Sequence, residues 1–338
     1  MIGEFSPLPE STPPTLITRR HTFDDEDALA GYLELWTGSP QRTAFAHPDY
    51  ILAASAAFDL PSFWLGVYED DELCAAVPLL EKTRGPFRAA ALPPLTPIFS
   101  PLLRENPRES DFHRGDTCLD TLIEALGSYH QATLQLHPSL TDTRPFGWAS
   151  WMTSPRYTYV VDLTREEELL STWSQSARNI ARKENEEFVV DESNVLAPIA
   201  IDLVLESYSR QGKKLGIEGG ALDTLVERVV NANLARVFAA ESVARKKHEA
   251  AAIILHDGIS AHFWLAGSTP GKAMTVLLGH VLGKLKDEDF ELFDFVGANV
   301  PSIAEFKRSF GSELRVYYLA RRIRHPLLRI ANALRPLN

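Results

Sequence analysis

Apolar and polar positions follow helical spacing near the start of the chain. Residues 26–37 repeat apolar side chains every three or four positions, which predicts an amphipathic helix. Its expected buried face carries Leu29, Leu33 and Trp36. A second short helix is predicted from Pro48 to about residue 57, because proline suits the first helical turn.

Two β-hairpins are predicted about half a chain apart. In each, an aromatic-bearing apolar strand meets a charged turn and then an alanine-rich strand. The turns are acidic at 69–72 and basic at 244–248, and the alanine-rich segments begin at Cys74 and Ala250, 176 residues apart. Self-similarity over so long a period indicates a duplicated unit.

Strands and helices alternate through the rest of the chain. Helices are predicted over residues 117–130, 165–187, 195–210, 221–232, 270–286 and 301–310, and strands over 132–137, 157–163, 259–267 and 291–297. This alternation predicts an α/β or α+β fold in each half. We expect a mobile lead-in over residues 1–20, domains over 21–155 and 156–320, and a basic tail over 321–338.

Charge is distributed unevenly between the halves. The chain has 338 residues and a net charge of −11, with 45% hydrophobic and 23% charged residues, a globular composition. Residues 1–150 carry 21 acidic and 10 basic side chains, whereas residues 151–338 carry 24 of each. A basic coat for nucleic acid is therefore excluded and no DNA partner is expected, although a local basic stripe in the second half remains open.

Cysteine content and hydropathy bear on the compartment. Cys74 and Cys118 are the two cysteines, which excludes a disulfide scaffold and a cysteine-rich zinc site, and both lie in apolar stretches typical of buried thiols. His256 and His262 lack the spacing of metal ligands, so no metal is expected. No signal pattern and no apolar run of ~20 residues is present, and we expect a cytoplasmic protein.

Residues 293–318 carry the most informative motif. The string FDFVGANVPSIAEFKRSFGSELRVYY resembles the C-terminal motif of the FemAB-like branch of the GNAT acyltransferase superfamily, with a D-F-x-G strand end, a helix carrying F-K-x-x-F-G and an aromatic strand. Residues 45–53, 93–103 and 176–190 are similar to other segments of that family. The resemblance implies two tandem GNAT-like domains, each a mixed central sheet flanked by helices. It also implies acyl or aminoacyl transfer to an amine of a cell-envelope precursor or another small acceptor.

The helix over residues 301–310 supplies a candidate catalytic lysine. Phe306 and Phe310 are four residues apart and share its buried face, so Lys307 is expected at the border of that face. The resemblance implies that Lys307 lies near the acyl-donor end of the site, where an ammonium can stabilise an oxyanion. The alternative is a solvated lysine at a helix C-terminus. Asp294 and Tyr208 are further catalytic candidates.

Residues 266–279 occupy the place of the GNAT pyrophosphate loop. Ser268 or Thr269 can cap the following helix, and the exposed amides beside Gly271 make a seat for an anion, with Lys272 adding a positive charge. The glycine pattern of CoA-binding GNAT enzymes is not recognisable here. Acyl-CoA and aminoacyl-tRNA therefore both stand as candidate donors, and an ordinary capped helix is the alternative.

Basic residues in the second half could contact phosphates. Arg178, Arg182 and Lys183 lie on one polar helix and could bind a nucleotide-linked acceptor or tRNA, although charged helix faces are usually only solvated. The arginine-rich residues 320–336 could touch RNA or an anionic membrane surface peripherally, or form an ordinary terminal helix. Residues 321–324 contribute three of these arginines.

Two functional classes follow. Transfer of an activated acyl group needs no side-chain nucleophile, because the acceptor amine attacks the carbonyl directly, so the lack of a G-x-S-x-G elbow is compatible with it. The rival is a non-catalytic GNAT-like module for binding or assembly in envelope polysaccharide biosynthesis. The unrecognisable glycine pattern favours the module, and Lys307 together with its two phenylalanines favours the enzyme.

Overall fold

A computed structural model describes residues 15–105, 114–183, 185–217, 219–326 and 328 of the chain. The strands are β1 Leu16–His21, β2 Ser62–Glu69, β3 Glu72–Arg84, β4 Phe87–Ala91, β5 Leu102–Leu103, β6 Gln131–Gln135, β7 Met152–Asp162, β8 Phe188–Glu192, β9 Ala235–Ser242, β10 Lys247–His256, β11 Ser260–Ser268, β12 Leu292–Asp294 and β13 Glu313–Ile323. The helices are α1 Glu26–Gly38, α2 Pro48–Phe58, α3 Arg114–Leu126, α4 Arg144–Trp148, α5 Gln175–Lys183, α6 Ala197–Arg210, α7 Ala221–Asn231, α8 Ala273–Asp287 and α9 Pro301–Arg308.

These strands form one mixed sheet. Their order is β1-β2-β3-β4-β6-β13-β7-β12-β11-β10-β9-β8, and β5 pairs with β3. The pairs β4–β6 and β11–β12 are parallel, and the other pairs are antiparallel. Helices flank this sheet, so the predicted mixed α/β architecture is confirmed.

The order of elements repeats, as expected of a duplicated unit. The series β1-α1-α2-β2-β3-β4-α3-β6-α4-β7 is followed by β8-α6-α7-β9-β10-β11-α8-β12-α9-β13, with β5 and α5 additional. The last strands are exchanged between the repeats: β7 pairs with β12, and β13 pairs with β6. At the centre β13 runs antiparallel to β7, and the two repeats therefore share a continuous sheet.

The proposed domain boundaries fall inside strands. The division at 155/156 lies within β7, and the division at 320/321 lies within β13. Arg321 and Arg322 therefore belong to a strand that pairs with β6. The prediction that a helix or a free tail begins at residue 321 is wrong for these two residues. Residues 329–338 lie outside the described part of the chain.

Most predicted elements are present, with one clear exception. The single helix expected over 165–187 is wrong: a 3-10 turn at Leu169–Thr172 precedes α5, and a second at Asn185–Glu187 precedes β8. Residues 165–168 are all charged and offer no apolar face to hold a helix against the sheet. The Ser174 hydroxyl accepts a hydrogen bond from the Ala177 amide at 3.3 Å, so α5 starts late.

Burial corrects two details near the N-terminus. In α1 the buried side chains are Tyr32, Leu35 and Trp36, whereas Leu29 and Leu33 are half-buried. The lead-in predicted over residues 1–20 overlaps β1, which pairs along its length with β2, and residues 1–14 lie outside the described chain. The prediction of buried free thiols at both cysteines is confirmed.

The two repeats are joined by packing as well as by strand exchange. The Trp264 indole of β11 donates a hydrogen bond to the Leu95 carbonyl of the first repeat at 2.7 Å. On the other side of the sheet, Phe293, Phe295 and Phe310 form a separate apolar cluster beneath α8. The face shared by the repeats and the face beneath α8 are therefore chemically distinct.

Candidate active site

A cavity opens where β11 and β12 separate. Their parallel register ends at the pair His262 and Asp294, beyond which the strands diverge. A bulge in the β10–β11 register leaves Trp264 without a partner on β10. The resulting cavity has a volume of about 570 Å³ and is bounded by α6, α8 and α9. A crevice at the carboxyl ends of parallel strands is a common place for a ligand.

The lining of this cavity is apolar with a polar rim. Phe263, Leu265 and Met274 contribute apolar surface, and Tyr208 and Lys213 contribute polar groups. Beyond the last pair with β12, backbone groups of β11 that point toward β12 have no ladder partner among the described residues. An apolar pocket with a few convergent polar groups is suited to hold and orient a small molecule.

A strained loop after β12 forms one wall. Val296 has φ of 55° and Gly297 has φ of 80°, so two successive residues lie in the left-handed region. For a β-branched side chain this is an unfavourable conformation that persists only when its surroundings hold it. The Val296 amide donates to Asp294 Oδ1 at 2.7 Å, and the Gly297 amide donates to Thr158 Oγ1 at 3.2 Å.

Lys307 holds this loop from the opposite side. Its ammonium donates to the carbonyl oxygens of Phe295, Val296 and Gly297 at 2.7, 2.8 and 2.6 Å, which uses all three N–H donors. The residue is only 7% exposed, so the expectation of a border or solvated lysine is wrong. Burial lowers the pKa of Lys307 to about 8, and the nearby carboxylate of Asp294 acts in the opposite direction.

Asp294 is not among the residues that line this cavity. Its carboxylate accepts hydrogen bonds from the Thr158 hydroxyl and the Val296 amide, and it lines a different cavity between the two repeats. The side chain is buried and acts directly on the conformation of the loop. Tyr208, in contrast, projects from α6 into the same cavity as Lys307.

The segment before α8 has a different structure from the one predicted. The Ser268 amide donates to Ser207 Oγ at 3.1 Å, and the Thr269 amide donates to the Glu249 carbonyl at 2.8 Å. Neither side chain caps α8, which begins at Ala273 without a side-chain cap, so the predicted cap is wrong. The reason is that Ser268 is the last residue of β11 and pairs with Ala250, while the Thr269 amide is bound to Glu249, so both lie too early in the chain to cap a helix that begins at Ala273.

Helix α8 begins at Ala273, three residues after the predicted start at residue 270. Gly271 has φ of 149°, and Lys272 is the residue that precedes the helix. Ser268 and Met274 line the cavity, so the segment predicted to hold a donor phosphate does border it. Its role in binding an anion stays a prediction.

The basic residues of α5 lie apart from this cavity. The Arg178 guanidinium donates to the Trp173 carbonyl at 3.1 Å, and Arg182 lies 3.5 Å from a carboxylate oxygen of Glu168. Lys183 is exposed at the end of the helix. The three share one short helix as predicted, but none is among the residues that line the cavity, and their role toward phosphates stays a prediction.

Two searches of the described residues concern metals and membranes. They contain no group of three or more histidine, cysteine, aspartate or glutamate side chains arranged to hold a metal ion. Within the same ranges, no helix combines the length and the apolar character needed to cross a bilayer.

Solved structures with a similar fold include three informative cases. FemX superposes with a TM-score of 0.69 at 9% identity over 92% of this chain and 99% of that one. A tandem GNAT protein from the clavulanic acid biosynthesis pathway, solved without acetyl-CoA, gives 0.54 at 14% identity over 92% and 99%. No protein-family model and no curated protein sequence matches the chain.

The chain has the tandem GNAT fold. The C-terminal DUF2156 domain of an Agrobacterium fabrum protein described as a lysylphosphatidylglycerol synthetase agrees, with a TM-score of 0.55 at 14% identity over 91% of this chain and 96% of that one. The resemblance to the FemAB-like branch is thereby confirmed at the level of fold. Within the tandem GNAT fold, the cavity lies in the second repeat, between its β11 and β12 strands.

Sequence reasoning missed the loop that shapes this cavity. Tyr208, Ser268 and Lys307 were identified and do line it. The left-handed conformation of Val296 was not anticipated, because a valine gives no signal for positive φ. The glycine at 297, directly after the D-F-V string, was the available indication of an unusual turn.

Proposed function

We propose that this chain is an N-acyltransferase whose activated acyl donor lies in the cavity between β11 and β12. The observation that carries the proposal is the separation of these strands around an apolar cavity of about 570 Å³ that contains Tyr208 and borders Lys307. The tandem GNAT fold supports it, although fold alone does not assign activity.

In the proposed reaction, the acceptor amine attacks the acyl carbonyl directly. A carbon–nitrogen bond forms, the carbon–sulfur or carbon–oxygen bond to the carrier breaks, and the carrier leaves as a thiolate or alkoxide. Backbone N–H groups of β11 beyond its last pair with β12 are the candidates to stabilise the oxyanion. The Tyr208 hydroxyl is the candidate to protonate the leaving group; the amine releases its own proton to solvent, and solvent returns a proton to the Tyr208 phenolate.

Lys307 takes a positioning role in this proposal. Because its three N–H donors already bind loop carbonyls, it is not free to contact the acyl oxygen in this arrangement. It instead keeps Val296 and Gly297 in the conformation that keeps the cavity open. The catalytic role predicted for the ammonium is thus replaced by support of the cavity wall.

Both donor classes fit the comparisons. The name of the clavulanic acid neighbour mentions acetyl-CoA, and the name of the Agrobacterium neighbour indicates lysyl transfer to a lipid. For this chain, Lys213 lines the cavity and is the candidate to contact phosphates of either carrier, and Lys272, directly before α8, remains a candidate from the sequence. A small or envelope-derived amine is the proposed acceptor.

Ligand-induced stabilisation tests this proposal. Melting temperature would be measured with acetyl-CoA, longer acyl-CoAs and aminoacylated tRNA, each beside its deacylated carrier, and a bound donor at 100 times its Kd should add about 2.7 kcal/mol. Ala266→Trp fills the cavity and should abolish the shift, whereas Val195→Trp at an exposed position should preserve it. A donor that stabilises both variants equally would contradict the assigned cavity, and the lack of any stabilising donor would favour the non-catalytic module.

A further inference from the structure

A second cavity, of about 550 Å³, lies between the two repeats at the other end of β11 and β12. It belongs to neither repeat alone, because its walls come from both halves of the chain. The lining residues fall in segments 37–43, 98, 137–139, 160, 257–262, 291–294 and 315.

Three buried polar atoms of residues that line this cavity have no hydrogen-bond partner among the described residues. They are Arg42 Nε, Thr43 Oγ1 and His262 Nδ1. Thr43 is 1% exposed and His262 is 2% exposed, so bulk water does not satisfy them. Buried polar atoms are almost always hydrogen-bonded in folded proteins, and three exceptions around one cavity indicate a place that a polar ligand completes.

Two guanidinium groups give the cavity its donors. Arg42 stacks on the Trp36 ring at 4.3 Å and donates through one terminal nitrogen to the Asp257 carbonyl, which fixes its orientation. Arg315 reaches the cavity from β13, and within the described ranges its side chain has no recorded hydrogen bond or ion pair. Arginine in such a position is suited to bind an oxyanion through two N–H groups.

Two of the three carboxylates that line the cavity are engaged by the protein, and the third, Glu291, is exposed to solvent. Asp257 Oδ1 accepts hydrogen bonds from the Ile259 and Ser260 amides at 2.9 and 2.8 Å. Asp294 Oδ1 accepts from Thr158 and Val296, as described above. Both buried carboxylates therefore already accept hydrogen bonds, whereas the Arg315 guanidinium donates none among the described residues.

His137 adds another donor. Its Nδ1 accepts a hydrogen bond from the Ser139 amide at 3.1 Å, which assigns the proton to Nε2 in the neutral ring. Burial, together with His262 and Arg315, lowers the pKa of His137 to about 3, so the ring is neutral at physiological pH. A neutral histidine donor beside two guanidinium groups favours an acceptor-rich ligand.

We propose that this inter-repeat cavity binds a small metabolite through an oxyanion, either a carboxylate or a phosphate, held by Arg42, Arg315 and the Thr43 hydroxyl. The site is independent of the proposed donor cavity, because the two share no lining residue. Its ligand would bridge the repeats, since Arg42 comes from the first and Arg315 from the last strand of the second.

Calorimetry and melting temperature with matched probes test this site. Glycerol 3-phosphate, inorganic phosphate and succinate would be titrated into the full chain, with glycerol and succinamide as uncharged controls. We expect binding of at least one anion and of neither control, and the arm that binds identifies phosphate or carboxylate as the group recognised. Arg315→Gln should weaken that binding by about tenfold or more, whereas Arg308→Gln, exposed on α9, should leave it unchanged.

Thr43→Val gives a second, independent readout. Since the Thr43 hydroxyl is buried without a partner, replacing it with a methyl group should raise the melting temperature of the unliganded protein and still weaken anion binding. If Thr43 had only a structural role, the substitution would lower the melting temperature and leave anion binding unchanged. The site is overturned if none of the three anions binds at millimolar concentration, or if Arg315→Gln and Thr43→Val bind them as the unmodified chain does.

Discussion

The Lys307 ammonium lies 2.8 Å from the carbonyl oxygen of Val296, a β-branched residue held at φ of 55°. Lys307 lies on helix α9, and its ammonium thus fixes the loop at the end of strand β12, which would otherwise relax. The two neighbouring carbonyls are bound by the same ammonium. Strain of this kind persists only where the surroundings over-determine it, and here one buried charge does so.

Removing that charge should release the loop. Lys307→Met keeps the aliphatic stem but leaves three carbonyl oxygens without their donor, and each buried unsatisfied acceptor costs about 1–3 kcal/mol before relaxation. We expect the free energy of unfolding to fall by roughly 2–4 kcal/mol. Urea denaturation measures this, and Arg308→Met on the next, exposed residue should change it by less than about 0.5 kcal/mol.

Tyr208 offers a test of the proposed chemistry. Tyr208→Phe removes only the hydroxyl that we assign to protonation of the leaving group, and loss of a general acid lowers rates by about 10²–10⁴-fold. With a donor and acceptor in hand, kcat should fall within that range while donor affinity and melting temperature stay near their original values. An unchanged kcat would remove Tyr208 from the mechanism without affecting the assignment of the cavity.

Several features of the fold could be predicted because they depend on local pattern. Hairpins at the charged turns, the duplicated order of elements and the helix that carries Phe306 all follow from spacing alone. Phe310 lies just after that helix, and its ring packs on that of Phe306 with centroids 5.0 Å apart. Strand β8 was missed because its five residues follow a charged segment that resembles a helix. Exchange of the last strands between repeats could not be predicted, since it depends on contacts between residues 130 or more positions apart.

The residues of the candidate sites also divide into those that local sequence indicates and those that only long-range contacts bring together. Lys307 and Ser268 were found because they lie in segments that resemble family motifs, whereas Tyr208 was named only as a weaker candidate on a predicted helix. Arg42 and Arg315 were not, because nothing in their own segments distinguishes them and only the fold brings them to one cavity. The role of each of these polar side chains depends on its burial, and the burial of a single polar side chain cannot be predicted from the neighbouring sequence.

Contact between α6 and β11 depends on a residue without a side chain. A Cβ at Gly267 would lie 2.2–2.3 Å from backbone atoms of Leu203 and Val204, where no rotamer change can make room. We expect Gly267→Ala to destabilise the fold by about 3 kcal/mol or more. Gly283→Ala is the matched control: this α8 position has open space, and alanine there should stabilise by about 0.5–1 kcal/mol. Thermal denaturation of the two variants should therefore shift in opposite directions.

The edge strand β8 is fastened by an ionic cluster whose contribution depends on pH. Glu192 accepts from Arg236 at 2.6 Å and also pairs with Lys284, while Arg236 reaches Glu288. Hydrogen bonds from Arg236, followed by those from Lys284, lower the pKa of Glu192 from 4.5 to about 2. Since the folded pKa is depressed, the stabilisation is fully present above pH 4.5 and is lost as pH falls through 2.

Glu192→Gln should remove this dependence. At neutral pH we expect the variant to be less stable by about 1 kcal/mol, a value kept small because the cluster is partly solvated. Between pH 4.5 and 2 the difference from the original chain should shrink toward zero, because the original carboxylate becomes protonated as well. Urea denaturation across this range measures the difference, with Glu227→Gln on the exposed face of α7 as the control that should show no such trend. A difference that stays constant with pH would show that the Glu192 charge contributes nothing to the stability of β8.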